Sequence, residues 1–145
     1  MATVLDILGR KGGDVVQLSA EATVLEAAEL MNERGIGSVV ITKGNKVVGI
    51  FTERDILRRV VAEKKDPAAT QVGTVMTSPV LTCRPEARLE ECAALFTEKR
   101  VRHLPVVDDD GIRGMITSGD ILANQIKEQE DTIQFLNSYV FDLRS

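Results

Sequence analysis

The chain has 145 residues and a formal net charge of −4. That acidic balance argues against general affinity for nucleic acid or anionic membranes, and no run of about 20 apolar residues is present to cross a bilayer. Cys83, Cys92 and the single histidine, His103, form no metal-binding or Cys-x-x-Cys pattern.

Val4, Leu5, Ile7 and Leu8 predict a short amphipathic helix or turn. Gly9-Arg10-Lys11-Gly12-Gly13-Asp14 follows as a glycine-rich basic loop, most simply a flexible turn and otherwise a set of N–H groups facing an anion. Val15 to Leu18 predicts a strand. Thr23-x-x-Glu26 is a helix-starting box, and Val24, Ala27, Ala28 and Met31 share one helical face that Gly35 closes. Ile36 to Thr42 and Val47 to Phe51 predict a hairpin across the Lys43–Lys46 turn. Ile56, Leu57, Val60 and Val61 predict the buried face of the next helix, with Arg58 and Arg59 solvated opposite. After a polar stretch containing Pro67 the same order returns. Val80 to Thr82 reads as a strand; Leu89, Cys92, Ala93 and Phe96 mark a helix face; Val101 to Val107 and Ile112 to Ile116 form a hairpin over Asp108-Asp109-Asp110-Gly111; Asp120 opens a last helix. Ile126, Ile133 and Val140 recur at heptad spacing, an apolar stripe that either folds back on the module or, the favoured reading, packs on a second subunit.

The return is a repeat. Gly49-Ile50-Phe51-Thr52-Glu53-Arg54-Asp55-Ile56-Leu57 reappears as Gly114-Met115-Ile116-Thr117-Ser118-Gly119-Asp120-Ile121-Leu122, a step of 114 − 49 = 65. Glu21-Ala22, Glu26, Ala28 and Leu30 match Glu86-Ala87, Glu91, Ala93 and Leu95 at the same step. A half-length unit alone would bury only about 60% of its unfolded surface, so the two copies are expected to pack on each other. The expected organisation is repeat 1 over 4–65, a linker at 66–71, repeat 2 over 72–128 and a helical extension over 129–145. Each Thr-x-x-Asp serves first as an N-terminal capping box. A strand-to-helix turn also gathers a hydroxyl, free N–H groups and a carboxylate at one spot, where a ligand can use them.

These doubled motifs, with Arg100-Val101-Arg102-His103-Leu104-Pro105-Val106-Val107, resemble the tandem CBS-domain family over about residues 4 to 128. The first copy departs from the pattern, because Gly35-Ile36-Gly37-Ser38-Val39-Val40 lacks both the Arg and the Pro. The resemblance implies an α+β fold of two β-α-β-β-α units packed as a pseudo-twofold pair, and a stand-alone, bacterial-type signal-transduction module. It further implies two interface clefts for adenosine ligands: AMP foremost, also ADP, ATP, S-adenosylmethionine or NAD. Carried onto this chain, one site comprises Ile50, Thr52, Glu53, Arg54 and Asp55 with Leu81, Val101, Arg102, His103 and Pro105. The other comprises Ile116, Thr117, Ser118, Gly119 and Asp120 with Lys11, Val16, Ile36, Gly37 and Ser38. Asp55 and Asp120 would accept from ribose hydroxyls, a task suited to a carboxylate.

The expected function is a non-catalytic adenine-nucleotide sensor acting as a homodimer on a partner in trans. It would have no catalytic cofactor and no metal, and it would work in the cytoplasm, in keeping with an N-terminus that lacks the basic start and apolar stretch of a signal peptide. The alternatives are a structural dimerisation module without ligand and a nucleotide-processing enzyme, although no Ser/His/Asp or Cys/His arrangement supports catalysis. The Asp55 cleft should be the more cationic and take a compact nucleotide. The Asp120 cleft, with small walls and a mobile basic loop at its rim, should admit an extended dinucleotide.

Overall fold

A computed structural model describes residues 2–130. Residues 131–145, which hold all but the first two residues of the expected extension and include Ile133 and Val140, lie outside the described residues. The first unit holds α1 (Val4–Lys11), β1 (Gln17–Ser19), α2 (Val24–Arg34), β2 (Ser38–Lys43), β3 (Lys46–Thr52) and α3 (Glu53–Asp55). From α3 the chain continues in wider turns over Ile56–Val61, with Ala62 N–H donating to the Leu57 carbonyl five residues back at 3.0 Å. The second unit holds a short 3-10 turn (Val72–Thr74), α4 (Leu89–Lys99), β4 (His103–Asp108), β5 (Gly111–Thr117) and α5 (Ser118–Glu128).

β2 lies between β1, parallel to it, and β3, antiparallel to it, and β4 pairs antiparallel with β5. The strand expected at Val80 to Thr82 does not form; only Cys83 bridges, to Val106. The cause is one residue. In the first unit Val40 N–H donates to the Val16 carbonyl at 3.0 Å. The residue 65 positions on is Pro105, which has no N–H to offer Leu81.

The cores are exchanged. Val4 and Ile7 of α1 are buried with Leu89, Cys92, Phe96, Leu104 and Ile116 of the second unit. Val72 and Val75, which open the second unit, are buried with Val24, Met31, Val39 and Phe51 of the first. Each repeat therefore lends its leading segment to the other. Backbone bonds fix the exchange: Val4 N–H donates to the Ala87 carbonyl at 2.9 Å, and Val72 N–H to the Ala22 carbonyl at 2.8 Å. The glycine that opens each motif admits the visitor. A Cβ on Gly49 would stand 2.8 Å from the Thr77 carbonyl oxygen, and one on Gly114 would meet the Leu8 side chain.

Two local expectations are corrected. α1 runs on through Lys11, so only Gly12, Gly13 and Asp14 remain of the basic loop; Gly12 ends the helix at φ 90°. After Asp55, Ile56 and Val60 face inward, while Leu57 and Val61 are each 61% exposed.

Candidate functional site

The two motif turns share one geometry. Asp55 N–H donates to Thr52 Oγ1 at 3.3 Å, and Thr52 N–H returns to Asp55 Oδ2 at 3.0 Å. The second copy gives 3.1 Å from Asp120 N–H to Thr117 Oγ1 and 2.9 Å from Thr117 N–H to Asp120 Oδ2. Both are complete capping boxes. The next N–H of each helix is held by the neighbouring strand: Glu53 N–H by the Gly37 carbonyl at 3.1 Å, Ser118 N–H by the Arg102 carbonyl at 3.0 Å.

The carboxylates differ in what else reaches them. Thr77 donates its hydroxyl to Asp55 Oδ1 at 2.9 Å and its N–H to the Ile50 carbonyl at 2.8 Å. In the second copy one ammonium makes both contacts. Lys11 Nζ lies 2.8 Å from Asp120 Oδ2 and 2.9 Å from the carbonyl oxygen of Met115, the residue 65 positions after Ile50. The residue one turn further along each helix also differs in charge. Arg59 donates to the Met76 carbonyl at 2.6 Å and lies 3.6 Å from Asp55 Oδ1, whereas its counterpart Asn124 is neutral and accepts from Arg10 at 2.8 Å. Arg59 is thus half-exposed, as expected from its helix face, and bonded as well. The Asp55 side chain is 5% exposed and that of Asp120 21%.

Both turns border a groove of about 880 Å³. Ile50, Thr52, Glu53, Arg54 and Asp55 line it, with Val101, Arg102 and His103 from the second unit. Lys11, Val16, Ile36, Gly37 and Ser38 line it too, beside Thr117, Ser118 and Gly119. Four expected residues are not on its wall. Leu81 is 41% exposed on the unpaired stretch, Pro105 and Ile116 are fully buried, and the Asp120 carboxylate, 21% exposed, is held by Lys11, which does line the groove. The Ile116 expectation fails by one position, because the constant step pairs Ile50 with Met115, and Met115 is the lining residue. Thr77, Arg58, Arg59, Lys99 and Arg100 line the groove without having been singled out. The repeat conceals Thr77, since the residue 65 positions earlier is Gly12.

The lining is strongly basic: Lys11, Arg54, Arg58, Arg59, Lys99, Arg100 and Arg102 face Asp14, Glu53 and Asp55. Arg100 ends α4 in the left-handed region at φ 54°, where its counterpart Gly35 has φ 62°. An arginine there is strained relative to glycine, and its carbonyl receives Arg54 Nη1 at 3.0 Å. Burial is the main reason that the His103 imidazole has a pKa below the ordinary 6.5; Glu53 opposes the shift, and the nearby charges of Arg102 and Lys11 add to it. Cys83 and Cys92 are both buried in the second core. A hydrogen bond between them, then burial, pushes the Cys83 thiol pKa up, which leaves that thiol protonated and a poor nucleophile. Among the described residues no His, Cys, Asp and Glu cluster could hold a metal ion, and no helix is long and apolar enough to cross a membrane.

Comparison with known proteins agrees with this architecture. The family model for the CBS domain matches twice, at residues 4–62 and 72–127. The chain is 31% identical, over 95% of its length and 71% of the other's, to the mitochondrial CBS domain-containing protein CBSX3 of Arabidopsis thaliana. It superposes with a TM-score of 0.85 and 38% identity on a candidate signal-transduction protein with CBS domains from Burkholderia ambifaria MC40-6, covering 88% of this chain and 96% of that one. A second similar structure is the CBS domain pair of protein MJ0100 in complex with 5-methylthioadenosine and S-adenosyl-L-methionine, with a TM-score of 0.79 and 25% identity over 88% and 98% of the two chains. The doubled motif, the paired α+β units and both family matches place the chain in the CBS domain family.

Proposed function

We propose that the chain is an adenine-nucleotide-binding regulatory module that binds without turnover and signals to a partner protein in trans. One observation carries this reading: two Thr/Asp turns of identical geometry border one basic groove between the repeats. A carboxylate held by its own capping box has lone pairs left for a vicinal diol, and none of the described residues donates to Asp120 Oδ1. Apolar Ile50, Val16, Ile36 and Met115 offer walls for a flat base, and seven lysines and arginines offer donors to phosphate. The adenosine ligands of the MJ0100 complex support the same class of compound. With this basicity the ligand is AMP, ADP, ATP or NAD rather than a cation. The compact nucleotide belongs in the Asp55 half, where the arginines cluster, and the extended dinucleotide reaches toward the Asp120 half.

Signalling requires a ligand that binds two arrangements of the module unequally. A second copy of the chain is the natural place for that difference to appear. Leu57 and Val61 are exposed one turn apart after α3, and their counterparts Leu122 and Ile126 are exposed one turn apart on α5. Four apolar side chains at matching positions of the two units suit a homodimer, and the cytoplasm suits a nucleotide sensor with free thiols.

The test is calorimetry with AMP, ATP and NAD, alongside mass spectrometry of small molecules released from the purified protein. Saturable binding without product formation is expected. No heat and no thermal stabilisation with any of the three would overturn the nucleotide reading, and steady product formation would overturn its non-catalytic part. Light scattering that gives a monomer mass at micromolar concentration would remove the dimer.

A further inference from the structure

The substitution of Lys11 for Thr77 has a chemical consequence for ligand choice. Thr77 is a neutral donor whose one hydroxyl hydrogen is spent on Asp55. The Lys11 ammonium has three N–H donors. One goes to the Met115 carbonyl and one to Asp120 Oδ2. The third has no partner among the described residues, and Lys11 lines the groove with its side chain 36% exposed. The second half-site therefore keeps an uncommitted ammonium donor on a group 2.8 Å from Asp120 Oδ2, whereas in the first half the cation nearest the carboxylate is Arg59, 3.6 Å from Asp55 Oδ1. The geometry points to Lys11 as the residue that selects ligand charge in the Asp120 half of the groove, favouring an adenosine compound that bears phosphate over a neutral or sulfonium-bearing one.

This inference rests on the nucleotide reading for its ligand class and on the Lys11 contacts for its direction. A diol that donates to Asp120 sits beside the ammonium, so a phosphate a few ångströms along the same molecule meets the free N–H. Such a charge-assisted bond strengthens binding by about tenfold or more. A neutral ribose ligand has nothing to offer that donor, and a sulfonium centre placed there meets a like charge. The carboxylate partner keeps Lys11 in position before any ligand arrives.

The chain's four methionines make the half-sites separately observable. With methyl-labelled methionine, the Met115 signal reports the Asp120 half, and the Met31 signal, buried in the other core, reports intact folding. ATP, adenosine, S-adenosylmethionine and tripolyphosphate are titrated into the unaltered chain, Lys11→Gln and Lys11→Arg. Lys11→Gln is expected to weaken ATP and tripolyphosphate at Met115 about tenfold while leaving adenosine within about twofold and strengthening S-adenosylmethionine; Lys11→Arg should restore ATP. Equal weakening of adenosine and ATP by Lys11→Gln, or unchanged ATP binding, overturns the assignment. If no adenosine compound binds but tripolyphosphate still moves Met115 in a Lys11-dependent way, the nucleotide reading falls and the anion selectivity of Lys11 stands. If neither ATP nor tripolyphosphate moves Met115 in the unaltered chain, the selectivity of Lys11 falls.

Discussion

The surroundings of Asp55 and of Asp120 are one backbone design finished in two ways. Turn, capping box and bond to the neighbouring strand match to within a few tenths of an ångström. The finishing groups do not match. Asp55 is sealed by a neutral threonine and approached by an arginine from its own helix, while Asp120 is capped by a lysine from the opposite end of the chain and has a neutral asparagine on its helix. Backbone bonds must be satisfied in any copy of the fold, so they hold the two halves alike. Side chains at the groove carry no such backbone obligation, and there the halves diverge.

Deleting each carboxylate should separate the two halves most strongly. Asp55→Ala leaves Thr77 Oγ1, the Thr52 N–H and Arg59 without their buried acceptor, and a loss of about 3 kcal/mol in unfolding free energy is expected. Asp120→Ala removes a partly exposed pair and should cost about 1 kcal/mol. Urea denaturation of both variants checks this; equal losses would mean that the burial difference has no energetic weight.

The motif glycines come next. A methyl on Gly49 meets the Thr77 backbone carbonyl, which cannot move without disturbing its bonds to Ile50. A methyl on Gly114 meets the Leu8 side chain, which has other rotamers. Gly49→Ala is therefore expected to destabilise by about 2 kcal/mol and Gly114→Ala by about 1 kcal/mol or less, read from the same denaturation curves.

The smallest effect is electrostatic. His103 titrates below 6.5 in the folded chain because burial disfavours its charged form. Its counterpart in the first repeat is Ser38, which does not titrate in this range. Between the folded pKa and 6.5 the unfolded chain binds the extra proton, so stability rises with pH through that window and is lost as pH falls from 6.5 through the folded value. Melting temperatures at pH 7.5 and 5.5 should fall further apart for the unaltered chain than for His103→Gln. An identical pH dependence would remove His103 as the cause.

Much of this was legible in the sequence, and each gap has a physical reason. The constant step of 65 located both turns, because capping needs Thr and Asp at fixed spacing. The same step, applied strictly, would have put Met115 on the wall in place of Ile116. Pro105 held the information that the Val80 strand would fail, but only once its partner was known to be Leu81, and ladder partners are non-local. Lys11 looked like part of a flexible glycine-rich loop because glycine lowers helix propensity; packing of Val4 and Ile7 into the second core overrode that preference and carried the helix through Lys11. The exchange of leading segments left only a faint sign, the altered step of 72 − 4 = 68 between Val4 and Val72.

That exchange also sets a timetable for synthesis. α1 is made first, yet its apolar face is completed by Leu104 and Ile116, the latter on a strand that ends at Thr117. At about 5–20 residues per second, the hundred or so intervening residues take on the order of 5–20 s to appear. Throughout that interval the nascent chain carries an orphan amphipathic helix, a target for holding chaperones and for neighbouring chains on the same message. The opening segment of the second repeat has no such wait, because the core it completes has already left the ribosome.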